Sequence, residues 1–187
     1  MSFLTRAQEL PPIEFYDSKD YGAANQNWAI SQSEENYIYV ANNEGLLEFN
    51  GAKWQLYPSP NESVLRSVKA VDNIIYTGAY MDFGAWKRDD FGKLVYTSLS
   101  KKLDIPLVDD EQFWNIISID GYILFQSLDR IYIFNVKDNS CKIINSLNTI
   151  TKIFKVEGSI FYQSLNEGIY KIENGDSKLI ISNDVVK

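Results

Sequence analysis

Apolar residues fall in short runs rich in Tyr, Ile, Val and Phe, and each run ends at a cluster of Asn, Asp, Gly or Pro. Such runs read as β-strands joined by tight turns. The clearest unit is NYIYVANNEGLLEFN, from Asn36 to Asn50, where a polar turn at Asn43-Glu44-Gly45 separates two apolar runs. The pattern returns as IIYTGAYMDFGAW from Ile74, ILFQSLDRIYIF from Ile123 and IFYQSLNEGIYKI from Ile160. Alignment on Ala41, Gly78, Ser127 and Ser164 gives spacings of 78−41 = 37, 127−78 = 49 and 164−127 = 37 residues.

Each repeat predicts four strands: residues 28–32, 37–41, 45–49 and 54–57; 65–71, 74–78, 84–88 and 94–99; 114–119, 123–127, 131–135 and 141–145; 151–156, 160–164, 169–173 and 178–182. Four antiparallel strands repeated at this period predict an all-β chain of about four β-propeller blades, over 27–60, 64–100, 112–146 and 150–183. A β-sandwich is the alternative, but it does not predict a repeated strand-by-strand register. Asn50-Gly51 predicts a type I′ turn. Ahead of the repeats, residues 1–12 read as a disordered lead, 13–16 as an orphan strand and 17–26 as a loop. The fourth repeat has its own outermost strand, so the orphan is not needed by any blade present. An N-terminal strand of this kind completes the last blade of a closed ring, which predicts that these blades belong to a larger ring.

Composition narrows the chemistry. The 187 residues carry 18 basic and 25 acidic side chains, a net charge of −7, which disfavours nucleic acid as a partner. There is no histidine, and the single cysteine, Cys141, excludes an internal disulfide and a cysteine-built zinc site. Cys141 reads as a small apolar strand residue. No run approaches the ~18 apolar residues of a membrane span, and residues 1–10 lack a signal-peptide core. The run Asp109-Asp110-Glu111 reads as a solvated acidic loop, since adjacent carboxylates on an extended segment do not converge on one cation. No cofactor is expected.

In a blade the loop from second to third strand shares a rim with the segment leading into the first strand. That rim should gather Asn42, Asn43 and Glu44 with Tyr80, Met81, Asp82 and Phe83. It should also gather Leu128, Asp129, Arg130, Leu165, Asn166 and Glu167, with Gln26, Asn27, Arg66 and Trp114 from the leading segments. The candidate ligand-binding residues are Asn43, Glu44, Arg66, Tyr80, Asp82, Phe83, Trp114, Asp129, Arg130, Asn166 and Glu167. Amides, carboxylates, arginine and aromatic surface suit a neutral or sugar-like ligand, or a protein. The competing reading is turn chemistry for Asn42, Asn43, Asp129 and Asn166, and a packed corner for YMDFGAW. Asp82, Asp129 and Glu167 are candidates for paired-carboxylate glycoside chemistry. No phosphate loop, metal-spaced cluster or nucleophile elbow is present.

Pro12, Ile13, Phe15, Tyr21, Gln26-Asn27-Trp28, the Asn43 to Phe49 hairpin, Asn50-Gly51 and Trp54 together resemble the N-terminal sensor propellers of bacterial two-component regulator propeller proteins. The resemblance is to the Bacteroidetes type, joined to a triple-tyrosine domain and then to a histidine kinase or a helix-turn-helix regulator. It runs over residues 12–86; the later blades are generic. It implies a periplasmic, non-catalytic sensor, often seven-bladed, with a small-molecule, glycan or protein ligand. It also implies further blades or a downstream signalling domain as partners. The chain supplies about four repeats without an output domain, which predicts a fragment or a truncated product. A cytoplasmic location, a carbohydrate-active propeller enzyme and a protein-interaction scaffold are the alternatives.

Overall fold

Four separate antiparallel sheets, each of four strands taken in sequence order, make up the computed structural model, which describes residues 12–60 and 62–185. Blade 1 holds β1 (Asn27–Gln32), β2 (Ile38–Asn42), β3 (Gly45–Phe49) and β4 (Trp54–Pro58). Blade 2 holds β5 (Leu65–Val71), β6 (Ile74–Ala79), β7 (Phe83–Arg88) and β8 (Leu94–Ser98). Blade 3 holds β9 (Asn115–Ile119), β10 (Tyr122–Gln126), β11 (Arg130–Asn135) and β12 (Cys141–Asn145). Blade 4 holds β13 (Ile150–Val156), β14 (Ser159–Ser164), β15 (Gly168–Glu173) and β16 (Asp176–Ser182). The first strands β1, β5, β9 and β13 are neighbours in turn. Blades therefore fan from a shared inner edge, as in a β-propeller.

The side-chain alternation of each strand assigns its residues to one blade face or the other. Tyr39 and Leu46 of blade 1 pack against Leu65, Ile75 and Trp86 of blade 2. Tyr76 and Phe83 of blade 2 pack against Phe125, Tyr132 and Phe134 of blade 3, with Phe83 stacked on Phe125 at 4.3 Å between centroids. Leu124 and Ile131 of blade 3 pack against Ile153, Ile160 and Tyr162 of blade 4. Burial of each large side chain contributes roughly 1.5–3 kcal/mol. Strand pairing makes Tyr39, Tyr76, Leu124 and Phe161 equivalent, and likewise Ala41, Gly78, Gln126 and Gln163, and Leu46, Phe83, Ile131 and Ile169.

That register corrects the sequence alignment, which placed Ser127 and Ser164 opposite Ala41 and Gly78. The spacings in the fold are 78−41 = 37, 126−78 = 48 and 163−126 = 37 residues. The repeated Gln-Ser-Leu motif made the serine a natural anchor, and a one-residue slip in a strand moves the anchor to the other face.

Three local expectations also fail. Residues 13–16 form no strand: Ile13 and Phe15 are exposed, while Tyr16 leans on Phe49 and Trp54. Among the described residues no sheet edge pairs with this segment, so its apolar alternation has no ladder to join. The loop expected at 17–26 contains a helical turn, α1 (Ser18–Tyr21). Asp17 and Asp20 close a capping box there: the Asp17 carboxylate accepts from Asp20 N at 3.2 Å, and Asp17 N donates to the Asp20 carboxylate at 2.7 Å. α1 brings Tyr21 onto Val40 and Leu47, so the face of blade 1 turned away from blade 2 is covered. The expected I′ turn at Asn50-Gly51 is a four-residue loop, because Phe49 pairs with Trp54 and only Gly51 has positive φ. The Asn50 side chain accepts from Ala52 N and Lys53 N instead. True I′ turns occur at Asp120-Gly121, Glu157-Gly158 and Asn174-Gly175, where both residues have positive φ.

Blade 4 turns a different face outward. Phe161 and Ile169 are only half-buried, and Phe154 stacks on Phe161. At the Gln163 position the contrast is sharpest. Gln126 is fully buried and donates to the carbonyl of Ile150 on the next blade at 3.0 Å, while Gln163 is exposed and accepts only from Thr151 of its own blade.

Gln126→Ala should therefore cost about 1–3 kcal/mol by leaving buried groups unpaired, whereas Gln163→Ala should fall within about 0.5 kcal/mol of wild type. Urea midpoints would show both. Tyr39, Tyr96 and Tyr132 have their phenol pKa values raised, in each case chiefly by burial. The neutral phenol is favoured in the folded state, so their contribution is complete below the unfolded value near 10 and is lost as pH rises beyond it. Melting temperature should accordingly drop between pH 9 and 11, roughly one unit either side of that value.

Candidate functional site

The rim that carries the β2–β3 loop and its counterparts is built around irregularities in the innermost strands. Pairing of β1 with β2 slips between Asn27 and Ala29, that of β5 with β6 between Leu65 and Ser67, and that of β13 with β14 between Ile150 and Lys152. Each slip leaves one bulged residue: Trp28, Arg66 and Thr151. Trp114 holds the same place in blade 3, directly before β9, with its N–H bonded to Gln126 O at 2.8 Å. A bulge re-aims the side chain that an unbroken strand would have packed into a sheet face.

Three of these four side chains meet. The Arg66 guanidinium carbon lies 3.9 Å from the Trp28 ring centroid and 4.9 Å from that of Trp114. The indoles are 6.0 Å apart and inclined at 76°, so Arg66 sits in a corner with an aromatic face on each side. Trp28 is held by its Nε1 donating to Asn43 Oδ1 at 2.8 Å, and Arg66 Nε donates to Gln112 Oε1 at 3.2 Å. Partial burial lowers the Arg66 pKa. The Trp114 Nε1 is buried with no partner among the described residues. Asn42 braces the corner from below: its side chain donates to Asn27 Oδ1 and Ala24 O, and accepts from Glu44 N.

The sequence placed Arg66, Trp114 and Asn43 in this group, and the fold brings them together. It did not single out Trp28 or Gln112. By its period Trp28 reads as an ordinary strand residue; the available signal is its place at the start of a first strand, shared with Arg66 and Trp114.

The other candidates lie differently. Phe83 is fully buried between Phe113, Phe125 and Tyr132, so its ring packs blades 2 and 3 together. Asp82 is buried and accepts from Ser98 Oγ at 2.7 Å and Ser100 Oγ at 2.5 Å, which ties the β6–β7 loop to the 3-10 turn Ser100–Lys102. Glu111 departs from the solvated loop expected of its run: Asp109 and Asp110 are exposed, but Glu111 is buried. Its carboxylate accepts from Ser127 Oγ at 2.6 Å, Tyr132 Oη at 2.8 Å and Val108 N at 3.0 Å. Tyr80 is exposed, with its hydroxyl on Asp110 at 2.6 Å. Arg130 donates to Pro106 O and Tyr132 Oη. Glu44, Asp129 and Asn166 are exposed loop residues, Asn166 with positive φ. Glu167 accepts from Ser164 Oγ at 2.5 Å, and that hydroxyl is the main reason its carboxyl lies below the usual range. A general acid needs the opposite shift.

Cys141 lies on β12 against the blade 2–blade 3 core, and burial pushes its thiol up to about 11. Among the described residues no group of three or more Cys, Asp or Glu is placed to hold a metal ion, and no helix is long and apolar enough to cross a membrane. A cleft of about 1020 Å³ opens between blades 3 and 4 on the opposite rim, beside Tyr122 and the Asp120 and Gly158 turns. None of the candidate residues lines it; its walls are strand positions of both blades, the turns at Asp120, Gly158 and Asn174-Gly175, and the Lys171–Glu173 ion pair.

No protein-family model and no curated protein matches the sequence. Solved structures match its fold. One is the extracellular domain of the hybrid two component system BT4673 from B. thetaiotaomicron, with a TM-score of 0.60 at 16% identity, covering 84% of this chain and 22% of that one. A protein of unknown function from Bacteroides caccae matches with a TM-score of 0.56 at 7% identity, over 85% of this chain and 61% of that chain. The computationally designed Ika4 protein matches with a TM-score of 0.59 at 12% identity, over 94% of this chain and 99% of that chain. The chain thus spans about a fifth of the length of the BT4673 domain.

Asp82→Ala should destabilise the fold by about 1–3 kcal/mol, because it strips the buried Ser100 hydroxyl and the half-buried Ser98 hydroxyl of their acceptor. Asp129→Ala, on an exposed loop tip, should stay within about 0.5 kcal/mol of wild type. Thermal unfolding of the two variants side by side would check the division between anchors and free rim residues.

Proposed function

We propose that the chain is a non-catalytic binding module, a sensor propeller segment of two-component type, that takes its ligand on the rim above the innermost strands. The observation that carries this reading is the corner of Trp28, Arg66 and Trp114: two indoles and a guanidinium, supplied by three different blades, share one surface. Sites of this kind join apolar surface to a few fixed polar groups. Asn43 adjoins the corner through Trp28, and the proposal takes Glu44, Tyr80, Asp129, Arg130, Asn166 and Glu167, from the same set of loops, as outlying contacts. Binding there would bias the relative setting of three blades, and a ligand shifts an equilibrium only through such differential contacts. Location outside the cytoplasm is part of the proposal, supported by the fold shared with an extracellular domain.

The paired-carboxylate enzyme is the weaker reading. Asp82 is buried among hydroxyls, and Glu167 is held in its charged form by Ser164. A larger ring is supported by the face of blade 4. Phe161, Gln163 and Ile169 occupy the positions that form every interface between the blades described, and an additional blade of the same kind would cover them and offer Gln163 a carbonyl.

A thermal-shift screen of the purified chain against glycans, sugar acids and amino acids tests the binding reading, with tryptophan fluorescence as a second signal. At least one compound should raise the melting temperature by a few degrees, roughly what 1 kcal/mol of linkage gives for a domain of this size. That rise should vanish in Trp28→Ala. A shift unchanged in Trp28→Ala would move the site away from this rim.

A further inference from the structure

Arg66 differs from the other arginines of the rim and the blade faces in how its donors are used. Arg88 pairs with Glu48 at 2.6 Å and also reaches Gly92 O and Tyr39 Oη. Arg130 spends Nη1 on Pro106 O and on Tyr132 Oη. Arg66 engages only its Nε, with the amide oxygen of Gln112, and no carboxylate among the described residues pairs with it. Among the described residues neither terminal nitrogen has an acceptor, on a guanidinium that two indoles partly remove from water. A partly desolvated cation with open donors gains more from a charged acceptor than a fully solvated one does.

The geometry also fixes where such an acceptor sits. With Nε committed to Gln112 and the guanidinium held by the rings of Trp28 and Trp114, the remaining edge is the Nη1–Nη2 fork. Trp28 is itself locked by Asn43, so the fork is set before a ligand arrives. Two parallel N–H groups on a rigid plane match the two oxygens of a carboxylate. A single fork supplies one unit of positive charge, and a chain of net charge −7 opposes a second negative charge on the ligand, which disfavours a phosphate dianion. The exposed indole of Trp28 stands beside the guanidinium, suited to the C–H face of a sugar ring.

We infer that the ligand of this rim carries a carboxylate on a sugar-like ring, a hexuronate, and that Arg66 is its anchor. The inference rests on the reading of the rim as a binding site and names the ligand class that site would take. Arg66 forms a bidentate, charge-assisted pair with the carboxylate; Trp28 and Trp114 exclude water from it.

The probes are glucuronate and its short oligomers, with glucose oligomers of the same length as the neutral control, titrated while tryptophan fluorescence is read at low and high salt. Wild type should bind the acid at least about tenfold more tightly than the neutral sugar, the scale of one charge-assisted hydrogen-bond pair. The preference should shrink as salt rises. Arg66→Lys keeps the charge and removes the fork, and it should lose roughly tenfold in affinity for the acid while leaving the neutral sugar unchanged. Arg66→Met should lose the preference altogether. Its melting temperature reports whether it folds, and if it does not, Arg66→Lys decides. Equal affinity for acid and neutral sugar, or an Arg66→Lys variant that binds the acid as wild type does, overturns the carboxylate assignment. So does inorganic phosphate competing better than acetate. If only neutral compounds bind, and do so through Trp28, the assignment fails while the binding module stands; if no compound binds, both fail.

Discussion

Packing of one blade's second and third strands against the next blade is the constraint on which the rest of the molecule depends. A four-stranded sheet has two faces and cannot bury both alone. Tyr39 with Leu46, Tyr76 with Phe83, and Leu124 with Ile131 solve this for three blades in succession, and each is nearly inaccessible to water. Because the pairs recur at equivalent positions, every blade meets its neighbour in the same sense, and the four innermost strands are brought side by side. The rim is a consequence of that stacking: no single blade contains it.

Polar groups then fix what apolar packing leaves loose. The connection between blades 2 and 3 is longer than the others, and its end is secured by Glu111, which takes hydrogen bonds from Ser127 and Tyr132 of blade 3. Asp82 does the same for the loop opposite, through Ser98 and Ser100. Ser67 of β5 donates to Phe113 O at 2.8 Å, joining the inner edge of blade 2 to the segment that leads into blade 3. Arg66 and Trp114 are separated by 48 residues of chain, and these ties hold them at contact distance. Burying such carboxylates is tolerable because each accepts more than one hydrogen bond.

Legibility in the sequence followed the range of the interaction involved. Strands such as Gly45–Phe49, Leu65–Val71 and Cys141–Asn145 were read at their observed bounds, because alternation of side chains is a local property. The orphan segment 13–16 has the same alternation and forms no strand, since a strand exists only where an edge accepts it. The Asp17–Asp20 capping box is also a local signal, but one helical turn has no apolar period beside it to mark a helix. The dipeptide Asn50-Gly51 met its turn expectation at the glycine only, as the Asn50 side chain competes for the backbone donors that a I′ turn would leave free.

The sequence by itself determined the unit, its number of strands, its repetition and the rim on which the connecting loops gather, because hydrophobic period and turn residues act over a few positions. Only the tertiary structure decided which rim residues are available to a ligand. Phe83 and Asp82 look as accessible in the string as Asn43, yet they lie inside the stack, while Trp28 comes out of a strand to meet Arg66. Whether a side chain packs or points outward turns on a single-residue bulge and on the neighbouring blade's surface. Neither is contained in the residues on either side of it.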